Sequence, residues 1–560
     1  MKISRIREFK NFCLAATIFV AGASLASCSS SDDIAENNQQ PVENPSAPKV
    51  YTMTIQASKG DGATTRGLSL DKTVTPHKLN ATWNAGEEVL VYQSDSKIGT
   101  LTATASTDAS TTLSGTLDPA LDPNQALTFY FHTAAAPSYS GQDGTLATIA
   151  STYDFCEAAT VTTGNFTVNT SDNTVNVPAG ISFGANQQAI VKFTLIDKAD
   201  GTTLLNAKSL VVNDGTTNYT ITPASATSEI YVAIPGISDK KVTLTATVGS
   251  DTYTYEKSGV TFTNGQYYEI NVKMLKTKSI NDGSVEVPAG EHWLITGTGS
   301  ETTNQITIRN GATVTLAGVK IIRDSRGNVD SYCIKCDGNA TIILKDGSTN
   351  TLTSLSGDMA VEYDYPALWA GNKVGNDVVT LTIKGETAGT GALTVQSGTN
   401  SYCAGIGSGR GENDACGHIM IEGGDITATG GAFAAGIGSG GGGTCGNITI
   451  KGGTIEATGG NWAAGIGSGD GGTCGTITIA STVSSVTATG GDKAPNSIGA
   501  GAGASCGTVT FGNKVMYNGS AWDWGTTPVN GTYGGLNFAV STKTIGDDTF
   551  FTWTLTPPAP

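Results

Sequence analysis

Residues 402–431 read YCAGIGSGRGENDACGHIMIEGGDITATGG, residues 432–460 read AFAAGIGSGGGGTCGNITIKGGTIEATGG, and residues 461–491 read NWAAGIGSGDGGTCGTITIASTVSSVTATGG. These are three copies of one unit. Ala-Gly-Ile-Gly-Ser-Gly centres on Ile406, Ile437 and Ile466, and Ser497-Ile498-Gly499-Ala500-Gly501 is a degenerate fourth copy, so the isoleucines fall 31, 29 and 32 residues apart. A Cys-Gly pair follows each at Cys416, Cys445, Cys474 and Cys506, spaced 29, 29 and 32. Behind each pair runs an alternating strand: Ile419 and Ile421, Ile448 and Ile450, Ile477 and Ile479, Val509 and Phe511. A second strand follows in three copies: Ile426 and Ala428, Ile455 and Ala457, Val486 and Ala488. A constant period near 30 with several short strands per unit is the pattern of a solenoid. One unit cannot bury its apolar side alone. Stacked coils set equivalent residues about 4.8 Å apart, so each isoleucine set becomes an internal ladder. The expected fold of residues 279–512 is a right-handed parallel β-helix. Weaker copies extend it upstream through Ile306/Ile308, Ile342/Leu344 and Leu381/Ile383, which gives seven coils.

The rest of the chain is also β-patterned. Its 560 residues are too many for one ordinary domain. Charged residues make up 14%, against roughly 25% in a typical soluble domain. No segment carries a sustained helical repeat, so the fold class is all-β. A net charge of −16 argues against nucleic acid as a partner, which wants a basic face.

The amino end predicts location. Lys2, Arg5, Arg7 and Lys10 precede an apolar stretch from Phe12 to about Leu25, the layout of a signal peptide over residues 1–27. It ends in Leu25-Ala26-Ser27-Cys28, which resembles the lipobox of bacterial lipoproteins. That resemblance implies a lipid (palmitate-bearing) anchor on Cys28 in the cell outer membrane, with no spanning segment needed. The Ser- and Asp-rich start of residues 28–49 resembles the export tag of surface lipoproteins, and the whole segment reads as a flexible tether.

Residues 50–276 are strand and turn. Tyr51 to Gln56, Val89 to Gln93, Ala189 to Leu195, Tyr219 to Thr222, Val242 to Val248 and Tyr267 to Lys273 read as strands, with turn signals such as Asp200-Gly201 and Asn213-Asp214-Gly215 between strands. Two β-sandwiches fit this length. Thr65-Arg66-Gly67-Leu68, Ala81-Thr82-Trp83 and Gly86 to Tyr92, with Asn186 to Phe193 and Asn264 to Ile270, resemble the fimbrillin family. The resemblance implies tandem transthyretin-like sandwiches, other fimbrillin-like subunits as partners, and protease processing at Arg66.

The second half also resembles carbohydrate-binding β-helix domains, on Ile306 to Val314, Ala340 to Leu344 and the glycine-cysteine units. This implies a polysaccharide or host glycan as ligand. The family is sometimes calcium-assisted, but no recurring ligand pattern for calcium stands in these repeats, and no cofactor is expected. Residues 513–560, with Trp522, Trp524 and Trp553, break the repeat and read as a cap on the open end.

The chemistry-bearing residues sort as follows. Equivalent cysteines in a solenoid form a line, whereas zinc needs a tetrahedron, so Cys416, Cys445, Cys474 and Cys506 read as a packed ladder. Cys333 and Cys336 form a lone C-x-x-C whose members should face opposite sides of a strand, and the disulfide state of these two and of Cys403 is left open. Four residues before the repeat isoleucines stand Tyr402, Phe433 and Trp462, with Ala494 in the fourth copy. Stacked, these rings form a strip that either braces the coils or contacts sugar. Catalysis would need converging carboxylates. Glu422, Asp425 and Glu456 show no such pattern, and no catalytic or metal-ligating set is assigned. The expectation is a non-catalytic, carbohydrate-binding surface adhesin. The rival is a structural or tip subunit of a fimbria-like appendage that uses the β-helix as a spacer. A polysaccharide-degrading enzyme is the third reading.

Overall fold

The computed structural model describes residues 50–558 except 60–68, 72–77, 81–82, 105–109, 325–330, 356–364, 372, 375–376, 388, 412–414 and 546–547. Cys28, the tether and Arg66 therefore lie outside the described residues. Strands dominate; one α-helix, Leu146–Thr152, is present among the described residues, capped by the Thr145 side chain.

Strand Tyr51–Lys59 sits inside a nine-stranded sheet, antiparallel to Ser110–Leu117 and parallel to Thr174–Asn176 and Ile181–Phe183. Its alternation decides its faces: Met53, Ile55 and Ala57 are buried while Thr52, Thr54 and Gln56 are exposed. Trp83 fills the middle of this first core, edge-on to Phe131 at 5.9 Å.

The second core lies between two sheets. Ala189–Asp197 pairs antiparallel with Glu229–Ile234 and parallel with Tyr267–Ser279. Facing them, Asn218–Ile221, Ser209–Asn213, Ile237–Val248 and Asp251–Phe262 follow one another antiparallel. Tyr267–Ser279 belongs to both sheets. Tyr267 to Met274 pair with Ile190 to Asp197, and then Leu275 to Thr277 pair with Thr252 to Thr254. Its last four residues, Lys276 to Ser279, pair with Trp293 to Thr296 in the first coil of the solenoid. A single sheet thus runs from the sandwich into the β-helix without a linker.

Three long parallel sheets and a short one, of Thr444–Cys445, Thr473–Cys474 and Ser505–Cys506, make the β-helix. The first runs from His292–Thr296 through Ala312–Ala317, Ala340–Leu344, Thr380–Gly385, His418–Ile421, Ile448–Ile450 and Ile477–Ile479 to Val509–Phe511. The second runs from Lys320–Asp324 to Ser485–Gly490, and the third from Val285–Val287 to Ile498–Gly499. The ladders are in register: Ile406, Ile437, Ile466 and Ile498 stack, as do Ile419, Ile448, Ile477 and Val509. All eight side chains are 1% exposed or less. Each contributes roughly 1.5–3 kcal/mol by leaving water.

Two expectations change. The first and third sheets each contain eight parallel strands, so the described residues make eight coils, not seven. Ile306–Arg309 also belongs to a different sheet from Ile342 and Leu381. It stacks on Val285–Val287 and under Ile334–Asp337, and the true upstream partner of Ile342 is Val314. The repeat length is the same on every face, so spacing alone did not give the phase.

At the far end the strand direction reverses. Lys514–Tyr517 runs antiparallel to Val509–Phe511, and Asp548–Thr556 runs antiparallel to Ser485–Gly490. Trp553 is 1% exposed, and the Trp522 and Trp524 rings stand edge-on to it at 5.3 and 5.6 Å. The two reversed strands pair with the last parallel strands of the first two sheets, and the rings pack over the end of the core.

Candidate functional site

The repeat's second glycine fixes how closely the coils approach. Gly407, Gly438 and Gly467 have φ of +143°, +138° and +138°, and a Cβ there would stand 1.8, 1.8 and 2.0 Å from the carbonyl oxygen of the next coil. Only glycine fits. The tight corner holds the adjoining loops in vertical alignment, and those loops carry the aromatic residues.

Tyr402, Phe433 and Trp462 form one column. The Tyr402 and Phe433 rings are 4.4 Å apart and 9° from parallel, and Phe433 and Trp462 are 6.5 Å apart at 18°. All three are half-buried. Both ends are closed by cations: the Arg410 guanidinium lies 4.3 Å from the Tyr402 ring centre, and Lys493 Nζ lies 4.4 Å from that of Trp462. The order is cation, three rings, cation, so the ring faces are spent on each other. The polar tips of the column are the Tyr402 hydroxyl and the Trp462 indole N–H. Neither polar tip has a hydrogen-bond partner among the described residues. Sequence reasoning missed Arg410 and Lys493, because neither occupies a repeated position; the signal was the odd residue in GSGRG, where the next copy has GSGGG.

The cysteine ladder is linear. Cys416 pairs in register with Cys445, Cys445 with Cys474 and Cys474 with Cys506, and all four thiols are free. Hydrogen bonding to the neighbouring thiol, then burial, holds Cys445 and Cys474 well above the usual thiol range. Among the described residues no group of three or more His, Cys, Asp or Glu side chains could hold a metal. Cys333 and Cys336 do not face opposite sides. Both are completely buried in the solenoid core, because the strand begins at Ile334 and Cys333 sits in the corner before it. Burial pushes Cys333 up to about 12 and raises Cys336 as well. Cys403 is buried too.

The acids and histidines are dispersed. Glu422 pairs with Lys451 at 3.2 Å. Asp425 and Glu456 begin and occupy different coils of the second sheet, opposite threonines. His418 Nδ1 accepts the Asn447 N–H at 2.8 Å, and the His292 ring bonds the Thr315 hydroxyl at 3.0 Å. His132 lines a cleft of about 750 Å³ with Glu87 and Glu88, beside the helix Leu146–Thr152. No helix among the described residues is long and apolar enough to cross a membrane.

Residues 419–441 and 448–470 match the family model of a β-helix repeat. No curated protein is significantly similar to the chain. Among solved structures, a fimbrial protein from Bacteroides ovatus is similar at 10% identity, covering 40% of this chain and 49% of that one, with a TM-score of 0.21. The Bacillus anthracis TIE protein is similar at 14% identity, covering 41% and 34%, with a TM-score of 0.13. This chain thus spans about half the length of the first and a third of the second. A fimbrial assembly protein from Parabacteroides distasonis is similar at 13% identity, covering 40% of this chain and 91% of that one, with a TM-score of 0.21.

Proposed function

We propose that the chain is a non-catalytic adhesin on the bacterial surface, lipid-anchored at Cys28 in the outer membrane, that binds carbohydrate along the Tyr402–Phe433–Trp462 column. One observation carries this reading. Three half-buried rings recur at one register on successive coils, and the polar tips of Tyr402 and Trp462 have no hydrogen-bond partner among the described residues. A phenol and an indole with an apolar body and an unused donor suit a sugar hydroxyl. Because the faces are closed, the contact is made edge-on, by hydrogen bonds and ring-edge packing rather than by stacking. The anchor and the processing site at Arg66 rest on the sequence resemblances alone.

The closed faces also favour a second reading. A column sealed by Arg410 and Lys493 braces coils without any ligand, as a spacer in an appendage subunit requires.

A glycan array with the full chain separates the two. The adhesin binds a defined set of neutral glycans, and Tyr402→Ala with Trp462→Ala abolishes that binding. Tyr402→Phe keeps the ring and removes only its hydroxyl tip. It weakens binding by about 1 kcal/mol, the weight of the lost hydrogen bond, with no change in melting temperature. Binding unaltered in both variants, or no glycan bound by the parent chain, refutes the adhesin. Incubation with acidic and neutral polysaccharides should release no new chain ends.

A further inference from the structure

We infer that the cleft between the second sandwich and the first coils of the solenoid binds an acidic saccharide, a sugar chain bearing carboxylate or sulfate groups. The inference rests on the glycan-binding reading and gives it a second, chemically distinct site.

The cleft exists because one strand crosses from sandwich to solenoid. The hairpin of Ile237–Val248 and Asp251–Phe262 overhangs the first sheet of the β-helix, and Lys345 of the third coil reaches back to Glu256 at 2.8 Å. Between them lies a space of about 460 Å³. That is within the range of saccharide-sized ligand sites, and larger than a single oxyanion needs. Its lining is amphipathic: the Tyr255 ring, Leu275, Leu294 and Ala317 give it an apolar floor, and Thr243, Thr254, Thr296 and Thr315 stand among them.

Its charge sets it apart. The whole chain carries −16, yet Lys198, Lys273 and Lys345 line this cleft. Glu256 is already shared by Lys241 at 3.2 Å and Lys345 at 2.8 Å, and Glu386 accepts the Asp346 N–H at 3.2 Å. Lys198 and Lys273 form no ion pair among the described residues, and neither does Lys384 on the adjoining coil. In the lining Lys198, Lys273 and Lys345 outnumber Glu256 and Glu386, and with Lys241 and Lys384 close by they form a local positive field in an acidic surface. Such a field draws an anionic polymer to this place and repels it elsewhere. His292 lies beside the cleft, hydrogen-bonded to the lining Thr315, and burial first, then Lys198 and Lys384, drives its imidazole down to about 4.

The test titrates the full chain with polygalacturonate, dextran sulfate, neutral dextran and sodium sulfate. One of the two acidic polymers binds, and the preferred one says whether carboxylate or sulfate is read. Lys198→Gln with Lys273→Gln and Lys384→Gln weakens that binding about tenfold or more, the size of one lost charge-assisted hydrogen bond. The exposed pair Lys198→Gln with Lys273→Gln alone, which leaves every packed side chain in place, weakens it in the same direction. A control with the same charge change as that pair at exposed sites away from the cleft, Lys97→Gln with Lys208→Gln, binds as the parent does. So does Tyr402→Ala with Trp462→Ala. Equal weakening in cleft and control variants overturns the site, as does free sulfate binding as tightly as the polymers. If neutral glycans bind and acidic ones do not, the site falls and the glycan reading stands. If no glycan binds, both fall.

Discussion

Gly438→Ala tests the stacking on which every ladder depends. The new Cβ would stand 1.8 Å from the Gly467 carbonyl oxygen, whereas real Cβ atoms essentially never come within 3.0 Å of another heavy atom. The two coils would have to part locally by more than about 1 Å, which is the gap between those distances. Two hydrogen bonds cross the coils at this point, Ile437 N–H to Gly465 at 3.0 Å and Ser439 N–H to Gly467 at 2.9 Å. Stretching both past bonding range costs about 1 kcal/mol each. An alanine held at φ near +138° adds about 1–3 kcal/mol of backbone strain. The expected loss is roughly 3–5 kcal/mol. Gly442→Ala is the internal control. It has φ of +64°, and the nearest atom to its Cβ is 3.9 Å away, so only left-handed strain of about 1–2 kcal/mol applies. Urea unfolding of the full chain gives the free energies, and amide exchange at Ile437 and Ser439 locates the damage. A Gly438→Ala loss within 1 kcal/mol of the Gly442→Ala loss, about the weight of one hydrogen bond, would refute the close approach of the coils.

Two further outcomes follow from buried groups. The four thiols of the Cys416–Cys506 ladder are free, and Cys416, Cys445 and Cys474 are buried away from oxidant, so the ladder stays reduced. Alkylation of the unfolded, unreduced chain should label all four, and a reductant should leave the melting temperature unchanged. His292 is kept neutral in the fold and titrates near 4, whereas in the unfolded chain it titrates near 6.5. Between those values the unfolded chain binds more protons, so stability should fall as pH drops from 6.5 toward 4 and be fully retained above 6.5. His292→Leu should flatten that part of the difference curve; an unchanged slope would count against the burial.

The sequence was most informative in the last four coils, where one residue type repeats at one place. Isoleucines, second glycines and cysteines do so, and their ladders were legible with the correct register. The phase of the early coils was not. Ile306/Ile308 and Ile342/Leu344 show the same alternation on different faces, and only the pairing of Ile306 with Ile334 tells them apart. The aromatic positions were legible, but their electrostatics were not, because Arg410 and Lys493 come from single coils. The crossing strand did leave a trace. Met274 and Leu275 are consecutive and both buried, which breaks the alternation where Tyr267–Ser279 leaves one sheet for the other. Read alone, such a pair looks like any apolar run.

That crossing decides how the two halves move. A linker between domains leaves hinge motion as the default. Here a hinge between sandwich and solenoid would have to unpair Lys276 to Ser279 from Trp293 to Thr296, inside a sheet that continues on both sides. It would also uncover Leu294 and Thr315, which are 8% and 2% exposed, and separate Lys345 from Glu256. Ladder hydrogen bonds, apolar burial and an ion pair all break together, so bending is coupled to local unfolding. The acidic-sugar cleft is built by this joint and the aromatic column stands on the solenoid that the joint fixes. A ligand engaging either one therefore pulls directly on the sandwich, and a load is resisted by strand pairing rather than absorbed by a loop.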